Sequence, residues 1–267
     1  MNWLSKPVRG LLLDITGVLY NSGEGDGVAI ASSIEAVKRL QASDLKIRFV
    51  SNESSNTRAK LAAKLGRLGF EIQEEQLFTP APAAASYLRQ HGLRPHLLVH
   101  PGVQDEFAEF DMTDPNCVVM GDAEREFTYQ NLNTAFQLLI KLDRPQLITL
   151  GYGKYYMETD GLKLDVGAYA KALEYACDIQ SLVIGKPNAE YFSAAVADMQ
   201  LTIDETVMIG DDILSDIGGA QKAGLRGVQV RTGKWRPQWE NHPIVTPDGI
   251  VDNLAEAVNL LLAQNAA

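Results

Sequence analysis

The first hydrophobic segment of the chain is a short run that ends at a carboxylate. Leu11, Leu12 and Leu13 form an unbroken apolar stretch, and Asp14 follows directly. A continuous apolar run of this length is typical of a strand that is buried on both faces of a parallel sheet. Gly17, three residues later, allows the backbone to turn sharply. Because ligands bind at the carboxyl ends of strands in open parallel sheets, Asp14 is a candidate site residue.

Three later segments repeat this arrangement of a short apolar strand followed by polar residues. They are residues 47–50 before Ser51 and Asn52, residues 182–184 before Gly185-Lys186-Pro187, and residues 207–209 before Asp211, Asp212 and Asp216. Each polar residue taken alone is typical of a turn or a helix cap. If the four strands are neighbours, however, their ends bring carboxylates, a hydroxyl, an amide and an ammonium group to one edge of a sheet.

The segments between these strands alternate between helical and extended patterns. Apolar residues at three- and four-residue steps predict helices at residues 30–41 and 56–68, and the alternation continues through residues 83–177. This order predicts right-handed crossovers and a doubly wound parallel α/β sheet. The middle region lacks polar residues at its strand ends, which suggests a second α/β unit inserted into the first. The two prolines in residues 79–82 predict a linker or a rigid turn where it begins.

Composition and charge argue against several classes of function. The 267 residues carry a net charge of −10 without a basic tract, which disfavours a nucleic-acid or anionic-membrane surface. No apolar run approaches the roughly 20 residues that a membrane span needs. Cys117 and Cys177 show no Cys-x-x-Cys spacing, and the first residues have no signal-peptide pattern. We therefore expect a cytoplasmic protein with reduced thiols.

The carboxylates at the strand ends suggest phosphoryl transfer. Asp14 and Asp211 would repel each other unless a cation lay between them, and hard oxygen ligands with several waters suit Mg²⁺. A carboxylate can also attack phosphorus and form an aspartyl-phosphate. Lys186 would supply positive charge, while Ser51 and Asn52 would donate hydrogen bonds to the phosphoryl oxygens.

Taken together, the four segments resemble the motifs of the haloacid dehalogenase-like phosphatases. The matching residues are Asp14-Ile-Thr-Gly-Val, Val50-Ser51-Asn52, Gly185-Lys186-Pro187 and Gly210-Asp211-Asp212-Ile-Leu-Ser-Asp216. The inserted unit resembles the large α/β cap of the subgroup that includes pyridoxal phosphate phosphatase and the NagD-type nucleotide phosphatases. The resemblance implies a Rossmann-like catalytic core formed by residues 1–79 and 181–267, and an inserted α/β cap formed by residues 80–180.

The resemblance also implies a role for each matched residue. Asp14 would be the nucleophile and a magnesium ligand, Thr16 would offer its backbone carbonyl to the metal, and Asp211 would be the second carboxylate ligand. Asp212 and Asp216 would act indirectly, through other groups or water. The groups around the phosphate would come from Asp14, Ile15, Thr16, Ser51, Asn52 and Lys186, of which Asp14 and Lys186 would be catalytic.

Thr16 departs from the family pattern. Most phosphatases of the superfamily have a second aspartate here, which protonates the leaving group and later activates water. A threonine hydroxyl does not donate a proton as a carboxylic acid does. We therefore expect substrates whose leaving groups need little help, such as inorganic pyrophosphate, phosphohistidine and phospholysine. The alternatives are a sugar, nucleotide or pyridoxal phosphate phosphatase, or a phosphate-binding protein with weak turnover.

The cap also departs from its relatives at residues 151–156, which read Gly-Tyr-Gly-Lys-Tyr-Tyr where many relatives carry Asn-x-Asp. Lys154 and its tyrosines would face an anionic or aromatic substrate, or would belong to a solvated loop with tyrosines packed at a domain seam. The four histidines, among them His100, show no zinc-ligand spacing and are predicted to be structural or exposed. The resemblance further implies a small phosphorylated substrate and a homodimer formed through the cap.

Overall fold

The strands are short and lie in two parallel sheets and two small antiparallel pairs. The structure is a computed structural model that describes residues 2–158 and 161–265. In chain order the strands are β1 (Gly10–Leu13), β2 (Tyr20–Asn21), β3 (Val28–Ala29), β4 (Lys46–Val50), β5 (Leu77–Phe78), β6 (Pro95–Leu98), β7 (Cys117–Met120), β8 (Leu147–Thr149), β9 (Tyr155–Glu158), β10 (Gly161–Leu164), β11 (Leu182–Val183), β12 (Thr206–Gly210), β13 (Arg226–Val230) and β14 (Gly249–Val251).

β1 lies inside a six-stranded parallel sheet with the order β14-β13-β12-β1-β4-β5. Leu11 and Leu13 belong to the hydrophobic cluster on one face and Leu12 to the cluster on the other, and all three are fully buried. The unbroken apolar run therefore forms a strand with both faces covered, as predicted. Since β12 and β4 flank β1, the carboxyl ends of these three strands lie side by side.

Helices cover both faces of the two parallel sheets. They are α1 (Ser33–Gln41), α2 (Arg58–Arg67), α3 (Pro80–His91), α4 (Tyr129–Leu139), α5 (Val166–Cys177), α6 (Ala189–Asp198), α7 (Gly219–Lys222) and α8 (Leu254–Asn265). α1, α2 and α8 pack on one face of the six-stranded sheet, and α6 and α7 pack on the other. This arrangement confirms the predicted doubly wound α/β fold. In the described part of the chain, no helix is both long and apolar enough to cross a bilayer.

The second parallel sheet has the order β11-β8-β7-β6, with α3 on one face and α4 and α5 on the other. β11 was expected beside β1, β4 and β12, but it pairs with β8 instead. That prediction is wrong because this two-residue strand is the last strand of the inserted unit. It also extends the second sheet past residue 180, where the predicted cap ends. Gly185, with a φ of 135°, then turns the chain toward the six-stranded sheet, so that Lys186 reaches the site from a loop.

The prolines in residues 79–82 begin a helix instead of forming a linker. α3 starts at Pro80, because the fixed φ of proline suits the first helical turn and its missing N–H is not needed there. The predicted helix start at residue 83 is therefore three residues late. Ala81 and Ala84 already pack into the cluster under the second sheet.

After β12 the chain forms a π-helical turn, Ile213–Gly218, which continues into α7. The chain is therefore helical from Ile213 to Lys222. Asp212 stabilises the start of this turn, because its Oδ1 accepts hydrogen bonds from the backbone N–H groups of Leu214 and Ser215, both at 2.9 Å. The turn brings Asp216 back to the same sheet edge as Asp211.

Candidate active site

A cavity of about 340 Å³ lies at the carboxyl ends of β1, β4 and β12. Asp14 follows β1, Ser51 follows β4 and Asp211 follows β12, and all three residues line the cavity. Each of them is at most 6% exposed. The parallel register fixes their positions, since the Asp14 N–H donates to the carbonyl of Ile209 at 2.9 Å. The predicted convergence of these three strand ends is therefore present in the fold.

Asp14, Asp211 and Asp216 form a buried group of carboxylates. One oxygen from each lies within 4.8 Å of the others. Burial raises the pKa of Asp211 well above its ordinary value, and the negative charges of Asp14 and Asp216 add to this effect against the attraction of Lys234. Asp211 Oδ1 is buried and accepts no hydrogen bond from the described residues. A divalent cation would remove this repulsion and give that oxygen a partner.

Lys186 places a fixed positive charge beside the predicted nucleophile. Its Nζ lies 2.6 Å from Asp14 Oδ1 and 2.7 Å from Asp216 Oδ1, and the residue is 4% exposed. Burial by itself lowers the pKa of Lys186, but the two carboxylates outweigh burial and raise it above the ordinary lysine value. The ammonium group therefore stays charged, and a phosphoryl group approaching Asp14 would meet it in a water-poor environment.

Asn52 holds the backbone of Lys186 with its side chain. Its Nδ2 donates to the Lys186 carbonyl and its Oδ1 accepts from the Lys186 N–H, both at 2.8 Å. Gly185 permits this contact, because a Cβ there would lie 2.7 Å from Asn52 Oδ1. The Asn52 amide carries two N–H hydrogens, and the Lys186 carbonyl uses only one of them. Its predicted donation to a phosphate therefore stays a prediction, and the backbone N–H of Asn52 is a further candidate donor.

Ser51 and Ile15 are placed as their predicted roles require. Ser51 Oγ accepts a hydrogen bond from the Glu53 N–H at 3.0 Å, so its hydroxyl hydrogen can point to a phosphoryl oxygen. The Ser51 carbonyl accepts from the hydroxyl of Tyr191 at 2.9 Å, which fixes the backbone of this loop. The side chain of Ile15 is fully buried in the core, so that only its backbone groups can face a phosphate.

Gly17 and Gly233 allow two loops to close around Asp211. A Cβ on either glycine would lie 2.0 Å from Asp211 Oδ2, and their φ angles are 90° and 61°. The Thr232 hydroxyl donates to the Gly17 carbonyl at 2.5 Å and joins the two loops. The sharp turn predicted at Gly17 therefore also serves the close approach of a carboxylate.

Lys234 is a site residue that the sequence pattern of the four strands misses. Its Nζ lies 3.1 Å from Asp212 Oδ2, and its backbone N–H donates to Asp211 Oδ2 at 2.8 Å. Burial lowers the pKa of Lys234, but Asp212 and Asp211 outweigh burial and raise it. The signal for Lys234 was its position after β13, the strand next to β12, because the same strand-end rule applies there. Asp212 binds Lys234 and the π-helical turn, and it does not belong to the group of three clustered carboxylates.

Thr16 also lines the cavity, at the position where the family pattern has an aspartate. Its Oγ1 lies 3.4 Å from the hydroxyl of Tyr20, a fully buried residue of β2. Neither group is a carboxylic acid. The core therefore presents two hydroxyls where most of these phosphatases present their general acid and base.

Acidic residues line another wall of the same cavity, and we call Glu53, Asp122, Glu124 and Asp165 the acidic wall. The Asp122 N–H donates to Ser54 Oγ at 2.8 Å, which joins the end of β7 to the loop after β4. Burial raises the pKa of Asp122 to about 7, and the nearby charges of Asp165, Glu124 and Glu53 contribute to this rise. Burial also raises the pKa of Asp165.

Two strands of the second sheet therefore lead into polar residues, contrary to the prediction for the middle region. His100 comes two residues after β6 and Asp122 two residues after β7, and both line the cavity. His100 Nδ1 accepts from the Gly102 N–H at 2.9 Å, and its Nε2 lies 3.9 Å from Glu124. His100 therefore caps the turn that follows it, in agreement with a structural role, and it also lines the cavity. The pattern was missed because Val99 and Gly121 separate these polar residues from their strands.

Residues 151–156 contribute to the cavity in a different way from the one first considered. Gly153 and Tyr156 line it, whereas Lys154 is exposed and is not part of its wall. The Tyr152 hydroxyl donates to a buried glutamate of α5, at 2.7 and 2.8 Å from its two oxygens. An arginine from the loop after β13 lies 5.4 Å from the ring centre of Tyr155. The geometry of these two tyrosines favours the seam interpretation.

Comparison with known proteins agrees with this geometry. A family model described as haloacid dehalogenase-like hydrolase matches residues 11–113, and one described as HAD-hydrolase-like matches residues 183–257. The chain is 59% identical over 255 residues to phospholysine phosphohistidine inorganic pyrophosphate phosphatase from Bos taurus, covering 96% of this chain and 94% of that protein. The chain belongs to the haloacid dehalogenase-like hydrolases. Its identity to the Homo sapiens protein of the same name is 58%, with the same coverage.

Solved structures show the same architecture. A 4-nitrophenylphosphatase from Thermotoga maritima has a TM-score of 0.85 and 24% identity, covering 95% of this chain and 97% of that one. NagD from Escherichia coli K-12 has a TM-score of 0.80 and 23% identity, with coverages of 94% and 98%. These likenesses confirm the predicted α/β fold and the NagD-like arrangement. The relatives at 58% and 59% identity, together with the family membership, show that this haloacid dehalogenase-like hydrolase is an enzyme of the phosphatase class.

Proposed function

We propose that this hydrolase is a Mg²⁺-dependent phosphatase that acts on inorganic pyrophosphate and on phosphoramidates through an aspartyl-phosphate. The observation that carries the proposal is the pairing of Asp14 with a charged Lys186 in a cavity where Thr16 replaces the usual acid. The printed name of the relatives at 58% and 59% identity points to the same substrates.

Asp14 would attack the phosphorus atom while the bond from phosphorus to the leaving group breaks and its electron pair departs with that group. Lys186 and the Ser51 hydroxyl would hold the phosphoryl oxygens during this step, together with the backbone N–H groups of Ile15, Thr16 and Asn52. Water would then hydrolyse the acyl phosphate, release inorganic phosphate and restore Asp14.

The residues at the site fit a divalent metal, as the clustered carboxylates and the unpartnered Asp211 oxygen indicate. Asp14, Asp211 and the backbone carbonyl of Thr16 would hold it. When bound, Mg²⁺ would neutralise the repulsion between the anionic nucleophile and an anionic phosphate. Asp216 lies with the clustered carboxylates and is a further candidate ligand, whereas Asp212 acts indirectly through Lys234.

The substrate choice follows from Thr16. A phosphate leaving from pyrophosphate, or a nitrogen that is already protonated in a phosphoramidate and leaves as a neutral amine or imidazole, is a better leaving group than an alkoxide. Such substrates need less help from a carboxylic acid in the enzyme. Phosphate esters of simple alcohols would therefore be slow substrates.

The test is phosphate release from pyrophosphate, phosphohistidine, phospholysine and glycerol phosphate, each with Mg²⁺, with EDTA, and after Mg²⁺ is restored. We expect turnover of the first three substrates, its loss with EDTA and its return with Mg²⁺. Faster turnover of an alkyl, sugar, nucleotide or pyridoxal phosphate would contradict the proposal in favour of the ester phosphatases. Tight binding of beryllium fluoride without turnover of any substrate would indicate a phosphate-binding protein.

We also propose the organisation that the resemblance implies. Residues 1–79 and 181–267 would form the catalytic core, and residues 80–180 would form the cap. The position of the cavity between the two parallel sheets supports this division. A homodimer would form through the cap, and the enzyme would work in the cytoplasm on small compounds, without nucleic-acid or membrane partners. Light scattering of the purified protein tests the dimer, and a twofold mass is the expected result.

A further inference from the structure

Four basic side chains line the cavity, and they differ in whether a carboxylate already neutralises them. They are Lys64, His100, Lys186 and Lys234. Lys186 and Lys234 are ion-paired with site aspartates, and His100 lies 3.9 Å from Glu124. Within the described residues Lys64 forms no ion pair, and its ammonium group lies over an aromatic ring. Lys64 is therefore the cavity cation available to an anion.

Lys64 is held close to the nucleophile loop by Tyr20. Its Nζ lies 4.8 Å from the centre of the Tyr20 ring, so the ammonium group is positioned by a cation–π contact without being neutralised. The Tyr20 hydroxyl lies 3.4 Å from Thr16 Oγ1, and Thr16 is two residues after Asp14. One buried tyrosine thus separates Lys64 from the loop where a phosphate would react.

The surroundings of Lys64 are fixed by an ion pair on the same helix. Arg67, one turn further along α2, donates to both oxygens of Asp26 at 2.6 and 2.8 Å. Asp26 lies in the turn between β2 and β3, so this bidentate pair fastens to α2 the hairpin that carries Tyr20. The hydrogen bond from Arg67 lowers the pKa of Asp26, which remains charged and satisfied by the arginine. The charge of Lys64 also helps to lower the pKa of Asp26, but Lys64 forms no ion pair with it within the described residues.

The acidic wall restricts where a second phosphate can go. Glu53, Asp122, Glu124 and Asp165 would repel the leaving phosphate of pyrophosphate in a confined cavity. Lys186 is paired with Asp14 and would serve the transferring phosphoryl group, and Lys234 is paired with Asp212. Charge complementarity therefore directs the leaving phosphate toward Lys64 and away from the acidic wall.

We propose that Lys64 binds the leaving phosphate of inorganic pyrophosphate and is a specificity-determining residue for that substrate. The inference rests on the pyrophosphatase activity proposed above. As the P–O–P bond breaks, the bridging oxygen keeps the electron pair and the leaving phosphate gains negative charge, which the ammonium group stabilises. A phosphoramidate has no second phosphate, so its turnover does not use Lys64.

The experiment compares Lys64→Met, Lys64→Arg and the exposed control Lys38→Met on two substrates with Mg²⁺, pyrophosphate and phosphoimidazole. Methionine keeps an apolar stem against Tyr20 and removes only the charge. We expect Lys64→Met to lower kcat/KM for pyrophosphate about tenfold and to leave phosphoimidazole within about twofold. Lys64→Arg should retain most of the activity, and Lys38→Met should match the unchanged enzyme. Added NaCl should raise the KM for pyrophosphate in the unchanged enzyme more than in Lys64→Met.

Two results would overturn the inference. Equal losses on both substrates would show that Lys64 acts only by supporting Tyr20, and an unchanged kcat/KM for pyrophosphate would show that the leaving phosphate lies elsewhere. Thermal unfolding of each variant confirms that the comparison is made on folded protein. If the unchanged enzyme does not hydrolyse pyrophosphate, the proposed function fails for that substrate, which is distinguishable from a failure confined to Lys64.

Discussion

Two walls of one cavity carry opposite charge arrangements. On the core side, Lys186 and Lys234 pair with the aspartates at the strand ends, at distances of 2.6 to 3.1 Å. On the acidic wall, the pKa of Asp122 is raised to about 7, first by burial and then by its acidic neighbours. The ion pairs of the core wall are therefore already oriented to bind one phosphoryl group. The acidic wall instead places carboxyl groups beside one another.

This difference suggests that the core wall serves phosphoryl transfer and that the acidic wall influences which substrates are preferred. Preorganised charge pairs stabilise the transferring phosphoryl group at little further cost, because they are already desolvated and oriented. The carboxylates of the acidic wall do not stabilise the transferring phosphoryl group. They repel anionic leaving groups and so affect which substrates bind. Substitutions of the charged residues on the core wall should therefore change the rate for every substrate, whereas those on the acidic wall, or at Thr16, should change the ratio between substrates.

The largest effect is expected from Asp14→Asn. An amide is a poor nucleophile toward phosphorus, so kcat should fall by at least about a thousandfold on every substrate. Removing one of three mutually repelling carboxylates should leave the Tm unchanged or higher. Steady-state kinetics and thermal unfolding check both statements. Residual activity above about a tenth would show that another group attacks phosphorus.

A second prediction concerns stability in the cap. Glu174 accepts hydrogen bonds from Tyr152, Lys171 and Ser181, at 2.6 to 3.0 Å. Burial alone would raise its pKa, but these donors outweigh burial and lower it from 4.5 to about 2. We expect Glu174→Gln to lower the free energy of unfolding by about 2 kcal/mol at pH 7. Urea unfolding measures this loss.

The pH dependence of that loss has a definite sign. A carboxyl group whose pKa is lowered in the folded state stabilises fully above its ordinary value of 4.5, and the stabilisation disappears as the pH falls through about 2. The difference between Glu174→Gln and the unchanged enzyme should therefore shrink between pH 5 and pH 2. A difference that stays constant over this range would show that the network depends on shape and not on charge.

A third prediction concerns the preference between two substrates and changes Thr16, on the core side of the cavity. Thr16→Asp restores a carboxylic acid near the leaving group and should raise kcat/KM for glycerol phosphate, relative to pyrophosphate, about tenfold. Thr16→Asn has a similar shape without an acid and is the matched control. Parallel assays on both substrates give the ratio. An equal change on the two substrates, or the opposite one, would contradict the role assigned to this position.

The smallest effect is expected from Asp122→Asn on the acidic wall. Because the pKa of Asp122 is about 7, its carboxyl is mostly charged above that pH and mostly neutral below it. The KM for pyrophosphate should therefore fall about threefold at pH 8 and remain unchanged at pH 6. Asp143→Asn, on an exposed residue of the cap, is the control for net charge. A fall of equal size at both pH values would exclude titration of Asp122 as the cause.

Much of the fold and part of the site could be predicted from the sequence, for a clear physical reason. Leu11, Leu12 and Leu13 allow only a strand covered on both faces, and such strands end at a common edge. Asp14 and Asp211 were therefore expected to meet. The same argument would have found Lys234 only if it had included the four residues after β13.

Other features depend on pairings that apolar runs do not specify. β11 has the same pattern as a core strand, yet it pairs with β8, because strand pairing is decided by the whole fold. The side chain of Asn52 faces the Lys186 backbone, a contact between residues 134 positions apart. Gly121 and Val99 concealed Asp122 and His100, since the strand-end rule was applied only to polar residues that follow directly.

The route of the chain into Lys186 has a consequence for how such enzymes can exchange caps. Lys186 belongs to the segment that follows the last strand of the inserted unit, and Asn52 binds its backbone. If the inserted unit were replaced by that of another enzyme, the segment after its last strand would have to follow the same path to keep the Lys186 charge beside Asp14. The inserted unit therefore also determines the position of Lys186 beside Asp14.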